Sequence, residues 1–204
     1  MRKALAITAL ATLALTGPVM AGTFSYNMLE LGLIGDNIDD PNGIEDLQGS
    51  GASIAGSWEF GPSTFGFANL SGTDYQYQHY SDSDFTAGHI EGGLGFHFPL
   101  SSRVDVVSSA SLQRLRLEDT YHNTLNENGY GLKFGLRGLI GQRLEWTARV
   151  NYDDYSEIGD DTSWTAGFRY YFTPLFAMGL DIGSTDKNEA NALIGLRWDF
   201  GNRR

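Results

Sequence analysis

Residues 192–200 read Ala192-Leu193-Ile194-Gly195-Leu196-Arg197-Trp198-Asp199-Phe200, and the alternation within them decides the fold. Ala192, Ile194, Leu196, Trp198 and Phe200 share one face of an extended strand, while Leu193, Gly195, Arg197 and Asp199 share the other. One unbroken apolar face backed by an ionic one fits a sheet that divides hydrocarbon from a polar interior. The closing pair of rings, Trp198 and Phe200, recurs upstream as Trp58/Phe60, Phe96/Phe98 and Tyr170/Phe172. Rings gathered at one height mark a membrane interface, because amphipathic aromatics settle at headgroup depth.

Working outward, period two continues back to Phe24. It marks ten segments, at roughly 24–34, 48–60, 64–72, 86–98, 103–115, 129–140, 143–154, 163–172, 175–184 and 191–200. The third is ambiguous, since Phe65/Phe67 and Ala68/Leu70 compete for the outward face. Links after the even-numbered segments are short, such as Gly61-Pro62-Ser63 and Thr173-Pro174; those after the odd-numbered ones are longer and polar. That rhythm predicts an all-β, transmembrane, antiparallel up-and-down barrel with both termini in the periplasm. Ten strands are expected, and eight is the other even count that the pattern admits.

Residues 1–21 read as an export signal. Arg2 and Lys3 precede the apolar run Ala4 to Leu15, Gly17-Pro18 breaks it, and Val19-Met20-Ala21 offers small residues for cleavage. The run is too short for a spanning helix, which needs ~20 residues. A single barrel domain over 22–204 is expected to follow. The net charge of −11 becomes −13 without Arg2 and Lys3, which argues against nucleic acid as a partner. The chain has no cysteine and hence no disulfide framework. An exported chain without a long apolar helix is either soluble or a barrel in the outer membrane of a Gram-negative bacterium.

A soluble lipocalin-like barrel would turn the apolar face inward. Against it stand the aromatics at strand ends and a polar face rich in glycine (Gly93, Gly95, Gly131, Gly135, Gly167, Gly179, Gly183, Gly195). Glycine weakens an exposed strand, but in a narrow lumen it makes room for its neighbours. Assigned to the interior, Glu30, Glu59, Glu91, Asp105, Glu145, Asp153, Asp181 and Asp199 face Lys133, Arg137, Arg149, Arg169 and Arg197, with His89 and His97 beside them. Interlocking salt bridges that fill the lumen are the preferred reading, because buried charges must be paired. A charged constriction in a narrow channel for small solutes is the alternative.

The chain offers little for catalysis. His79-Tyr80-Ser81 with Glu91 resembles the His-x-Ser arrangement of outer-membrane lipid A deacylases, in which His activates the Ser nucleophile. Asp82 stands where those enzymes carry asparagine, and a carboxylate there would repel a developing oxyanion. No acidic pair beside a His supports a barrel protease. The acidic stretch Asp36 to Asp46 does not match an EF-hand, because counting back from Gly43 puts Ile38 at the first ligand position. No catalytic, cofactor or metal residue is therefore assigned. Gly195, Trp198 and Phe200 fit the C-terminal signal by which the insertion machinery reads such barrels during assembly. Lipids and lipopolysaccharide are the other partners expected, and an extracellular partner is not specified.

Several short motifs resemble a small outer-membrane barrel family, the "Ax-twenty-one" type. They are Ser25-Tyr26-Asn27 with Glu30-Leu31-Gly32, Asn128-Gly129-Tyr130-Gly131 with Gly135 and Arg137, Tyr152-Asp153-Asp154-Tyr155, and Gly195-Leu196-Arg197-Trp198. The resemblance implies a signal-bearing barrel without catalytic residues. The expected role is envelope maintenance or surface interaction (adhesion, biofilm or recognition), with acidic loops facing outward.

Overall fold

A computed structural model of the chain describes residues 24–38, 47–77, 84–119, 121, 123–186 and 189–201. The expected export signal, the body of the first acidic loop, and His79 and Ser81 lie outside the described residues. Ten strands follow in order: β1 (Met28–Ile38), β2 (Leu47–Gly61), β3 (Thr64–Tyr77), β4 (Phe85–Ser101), β5 (Val104–Asp119), β6 (Thr124–Ile140), β7 (Leu144–Tyr155), β8 (Gly159–Tyr171), β9 (Phe176–Thr185) and β10 (Glu189–Asp199). Each pairs antiparallel with its sequence neighbours, and β1 pairs with β10 to close the barrel. Closure leaves no edge with unpaired amides, the condition for crossing hydrocarbon with strands.

The faces are inverted relative to a soluble protein. Leu112, which points outward, is 77% exposed, whereas Glu145, which points inward, is 0% exposed. All eight girdle aromatics read from the sequence stand on the outer face: Trp58, Phe60, Phe96, Tyr170, Phe172, Trp198 and Phe200 are exposed, and Phe98 is half-buried. Phe176 completes the row at this level, its ring 6.5 Å from Phe172 and 6.2 Å from Trp198. An upper pair, Tyr130 and Tyr152, stands 6.4 Å apart. The third strand's ambiguity resolves with Phe65 buried in the lumen and Leu70 outside.

The tight turns lie at one end, the periplasmic end in barrels of this type. Gly141 takes φ of 68° in the turn joining β6 to β7, a conformation that costs glycine little. Pro99, which has no amide to donate, sits where the β4–β5 register shifts. At the opposite end β3, β5 and β6 run further than the alternation predicts, to Tyr77, to Asp119 and from Thr124.

One strand boundary is corrected. Residues 24–27 were expected to open the first strand, but β1 begins at Met28. Two local features end it there. Asn27 donates its backbone N–H to Ser25 Oγ at 3.1 Å, a bond that competes with strand pairing. The Tyr26 N–H goes to Glu59 Oε1 at 3.2 Å rather than into a ladder. The chain thereby turns inward across the periplasmic mouth.

Candidate functional site: the lumen

The lumen is built in tiers, and the lowest is the inturned N-terminal segment. Phe24, Ser25 and Tyr26 are all buried. The Tyr26 ring packs against both Phe65 (centroids 4.8 Å apart) and His97 (4.1 Å), each nearly parallel to it. Its hydroxyl donates to Asp105 Oδ2 at 3.1 Å. Burial pushes the Tyr26 phenol well above its ordinary pKa, so it stays protonated and keeps donating. Glu59 and Asn27 exchange two bonds, from Asn27 Nδ2 at 3.0 Å and back from the Glu59 N–H at 2.8 Å. Ser57 Oγ donates to the Tyr26 carbonyl at 2.6 Å, and Arg137 Nη1 donates to the Ser25 carbonyl at 2.9 Å. The Arg137 guanidinium also stands 4.8 Å from the centroids of the Phe24 and Tyr26 rings, within cation–π range.

Above this plug runs a continuous chain of ion pairs. Asp181 receives both terminal nitrogens of Arg169, and Arg169 also forks onto Glu30 through Nε and Nη2, both at 3.1 Å. Glu30 takes Arg197 Nε at 2.6 Å, Arg197 reaches Glu145 at 3.1 Å, and Glu145 takes Arg137 at 2.8 Å. The Tyr171 hydroxyl donates to Asp199 at 2.8 Å and lies 3.2 Å from Glu145 Oε2. Glu30 and Arg197 are register partners across the β1–β10 seam, so the chain also bonds the closure of the barrel. Bidentate pairing of this kind fixes geometry as well as charge.

The glycines of the polar face explain how such long side chains fit. A Cβ at Gly135 would stand 2.7 Å from Arg149 Cγ, and one at Gly167 would run into the Asp181 carboxylate. Neither could be accommodated without moving the network.

Nearer the outer end, Lys133 bonds Glu91 at 2.6 Å. Gln113 joins Asp153 at 2.5 Å and Tyr155 at 2.6 Å, and His89 Nε2 stands 3.3 Å from Gln113. Between this group and the ion chain lies a cavity of about 330 Å³. The expected filling therefore describes the periplasmic half, and the middle of the lumen retains space.

Of the expected ionic residues, Glu30, Lys133, Arg137, Glu145, Arg169, Asp181, Arg197 and Glu91 enter ion pairs as above. Asp105 meets Tyr26 and stands 3.5 Å from His97 Nδ1, and Asp199 meets Tyr171. Arg149 faces the same lumen, but no carboxylate lies within ion-pair distance of it among the described residues. Glu91, the third member of the deacylase-like arrangement, points into the lumen and is held by Lys133. Among the described residues no group of three or more His, Asp or Glu side chains could hold a metal ion. Tyr171 was missed, although it shares the parity of Arg169 and lies between Tyr170 and Phe172. The plug was missed for a better reason: Phe24 and Tyr26 fit the alternation of a strand equally well.

No protein-family model matches the chain, and comparison with curated proteins finds no match. Solved structures do resemble it. The NanC porin superposes with a TM-score of 0.54 at 8% identity, over 83% of this chain and 98% of that one. The β domain of the Bordetella autotransporter BrkA gives 0.53 at 13% identity, over 87% and 100%. Neisserial surface protein A gives 0.46 at 14% identity, over 86% and 98%. Together with the closed ten-stranded antiparallel sheet, the NanC and BrkA superpositions show the fold of a small outer-membrane β-barrel.

Proposed function

We propose that this protein is an outer-membrane barrel closed to solute flow at rest, serving the cell envelope through its outer rim. The closed lumen rests on one observation: residues 24–27 cross the periplasmic mouth and are bonded there to β2, β5 and β6 through Glu59, Asp105 and Arg137. The rim is acidic, carrying Asp36, Asp74, Asp154, Asp160, Asp161 and Glu189 near the outer ends of the strands. Such a rim suits cation-bridged contact with lipopolysaccharide phosphates or a basic partner surface. Membership of the Ax-twenty-one type is part of the same reading. Several of its motif residues, Ser25, Tyr26, Glu30, Arg137 and Arg197, meet in the plug and the ion chain.

A narrow channel is the second reading, and the 330 Å³ cavity above the plug favours it. Planar-bilayer recording of the full-length protein separates the two. The closed reading expects a flat baseline at moderate voltage. Reproducible single-channel steps from the wild type would establish the channel instead.

A further inference from the structure

The cavity in the middle of the lumen has an unbalanced lining. Five cationic side chains border it against four carboxylates. All four carboxylates are engaged by other cations: Glu91 by Lys133, Asp181 and Glu30 by Arg169, and Glu145 by Arg137. Arg197 shares Glu30 and Glu145. The cation left over is Arg149. Its Nε is buried and has no hydrogen-bond partner. On the same strand face, two residues earlier, the Thr147 hydroxyl is likewise buried without a partner.

Arg137 Nε, also in the lining, is unpartnered too, but the terminal nitrogens of Arg137 bond Ser25 and Glu145, whereas Arg149 and Thr147 have no side-chain hydrogen bond among the described residues. Buried polar groups are nearly always bonded, and an uncompensated buried charge is costly. The surplus is also opposite in sign to the chain as a whole, whose net charge is −11. The arrangement is built rather than incidental: Gly135 on the neighbouring strand leaves the space that the Arg149 stem occupies. Across the cavity Ser53, Asn69, Ser71 and Ser109 present hydroxyl and amide groups without charge.

We propose that this cavity is a binding site for a small oxyanion, a carboxylate or phosphate group, held by the Arg149 guanidinium and the Thr147 hydroxyl. The guanidinium fork matches two oxygens of either group, and the threonine hydroxyl supplies a third donor. The uncharged wall opposite takes hydroxyls on the rest of the solute. A cavity of about 330 Å³ admits a small solute only. This site goes beyond the envelope reading and stands whether or not the barrel conducts.

Titration calorimetry on the full-length protein folded in detergent, in low-chloride buffer, tests the site with inorganic phosphate and with sodium acetate as probes. Saturable 1:1 binding of at least one probe is expected. If phosphate alone binds, the ligand is a phosphate group; if acetate binds as well or better, it is a carboxylate. Arg149→Gln should weaken that binding at least tenfold, and Thr147→Val a few-fold, whereas Arg143→Gln in the periplasmic turn should leave it unchanged. Arg149→Gln should also fold with an unfolding temperature no lower than wild type, since it removes an unpaired charge. Absence of binding by both probes, or equal affinity in the Arg149→Gln and Thr147→Val variants, overturns the proposal.

Discussion

Glu145 shows at the scale of one residue how the lumen is held. It is fully buried, and its two oxygens serve Arg197 and Arg137 with Tyr171 close by. Glu145→Ala would leave two guanidinium groups short of a partner. Breaking a buried pair in this way costs about 3–5 kcal/mol. The expected result is a lower urea midpoint for the variant refolded in liposomes. A midpoint equal to the wild type would mean that the ion chain contributes nothing to stability. Glu145→Gln keeps the shape and one acceptor oxygen, and should fall between the two. That Glu145 faces inward was legible from parity alone. Which arginines it meets was not, because Arg197 is brought to it from the far end of the chain by closure.

At the scale of elements, the segment of residues 24–27 and the strand β1 divide the labour. β1 bonds to β2 and β10 along its whole length and completes the wall. The segment before it gives up ladder pairing and closes the mouth, with Tyr26 as its anchor. Tyr26→Ala would remove the ring packed against Phe65 and His97 and the bond to Asp105. Liposome-swelling assays should then detect permeation of small solutes through the variant that the wild type excludes. An impermeable Tyr26→Ala barrel would show that the ion chain alone seals the lumen. The sequence could not distinguish these elements, since an inserted segment and a strand can share one alternating pattern. The deciding partners, Glu59, Asp105 and Arg137, lie on β2, β5 and β6.

For the whole molecule, the inverted arrangement of faces has a direct optical consequence. All four tryptophans, Trp58, Trp146, Trp164 and Trp198, point outward by strand parity. Brominated lipid chains in reconstituted vesicles should therefore quench most of the intrinsic fluorescence, whereas aqueous iodide should quench little. The reverse pattern would put the indoles in water and return the chain to the soluble class.

The sequence by itself determined the class of the fold, the even strand number, the side of the short turns and the sign of each face. Those properties are local: a period of two and the residues at a turn are written in neighbours along the chain. Only the tertiary structure decided which charges meet, that Arg149 is left over beside a cavity, and that residues 24–27 close the mouth. Each of these depends on register and closure, which set side chains from distant strands at the same height in one lumen. Alternation says which way a side chain points, and the hydrogen-bond register around the barrel says what it finds there.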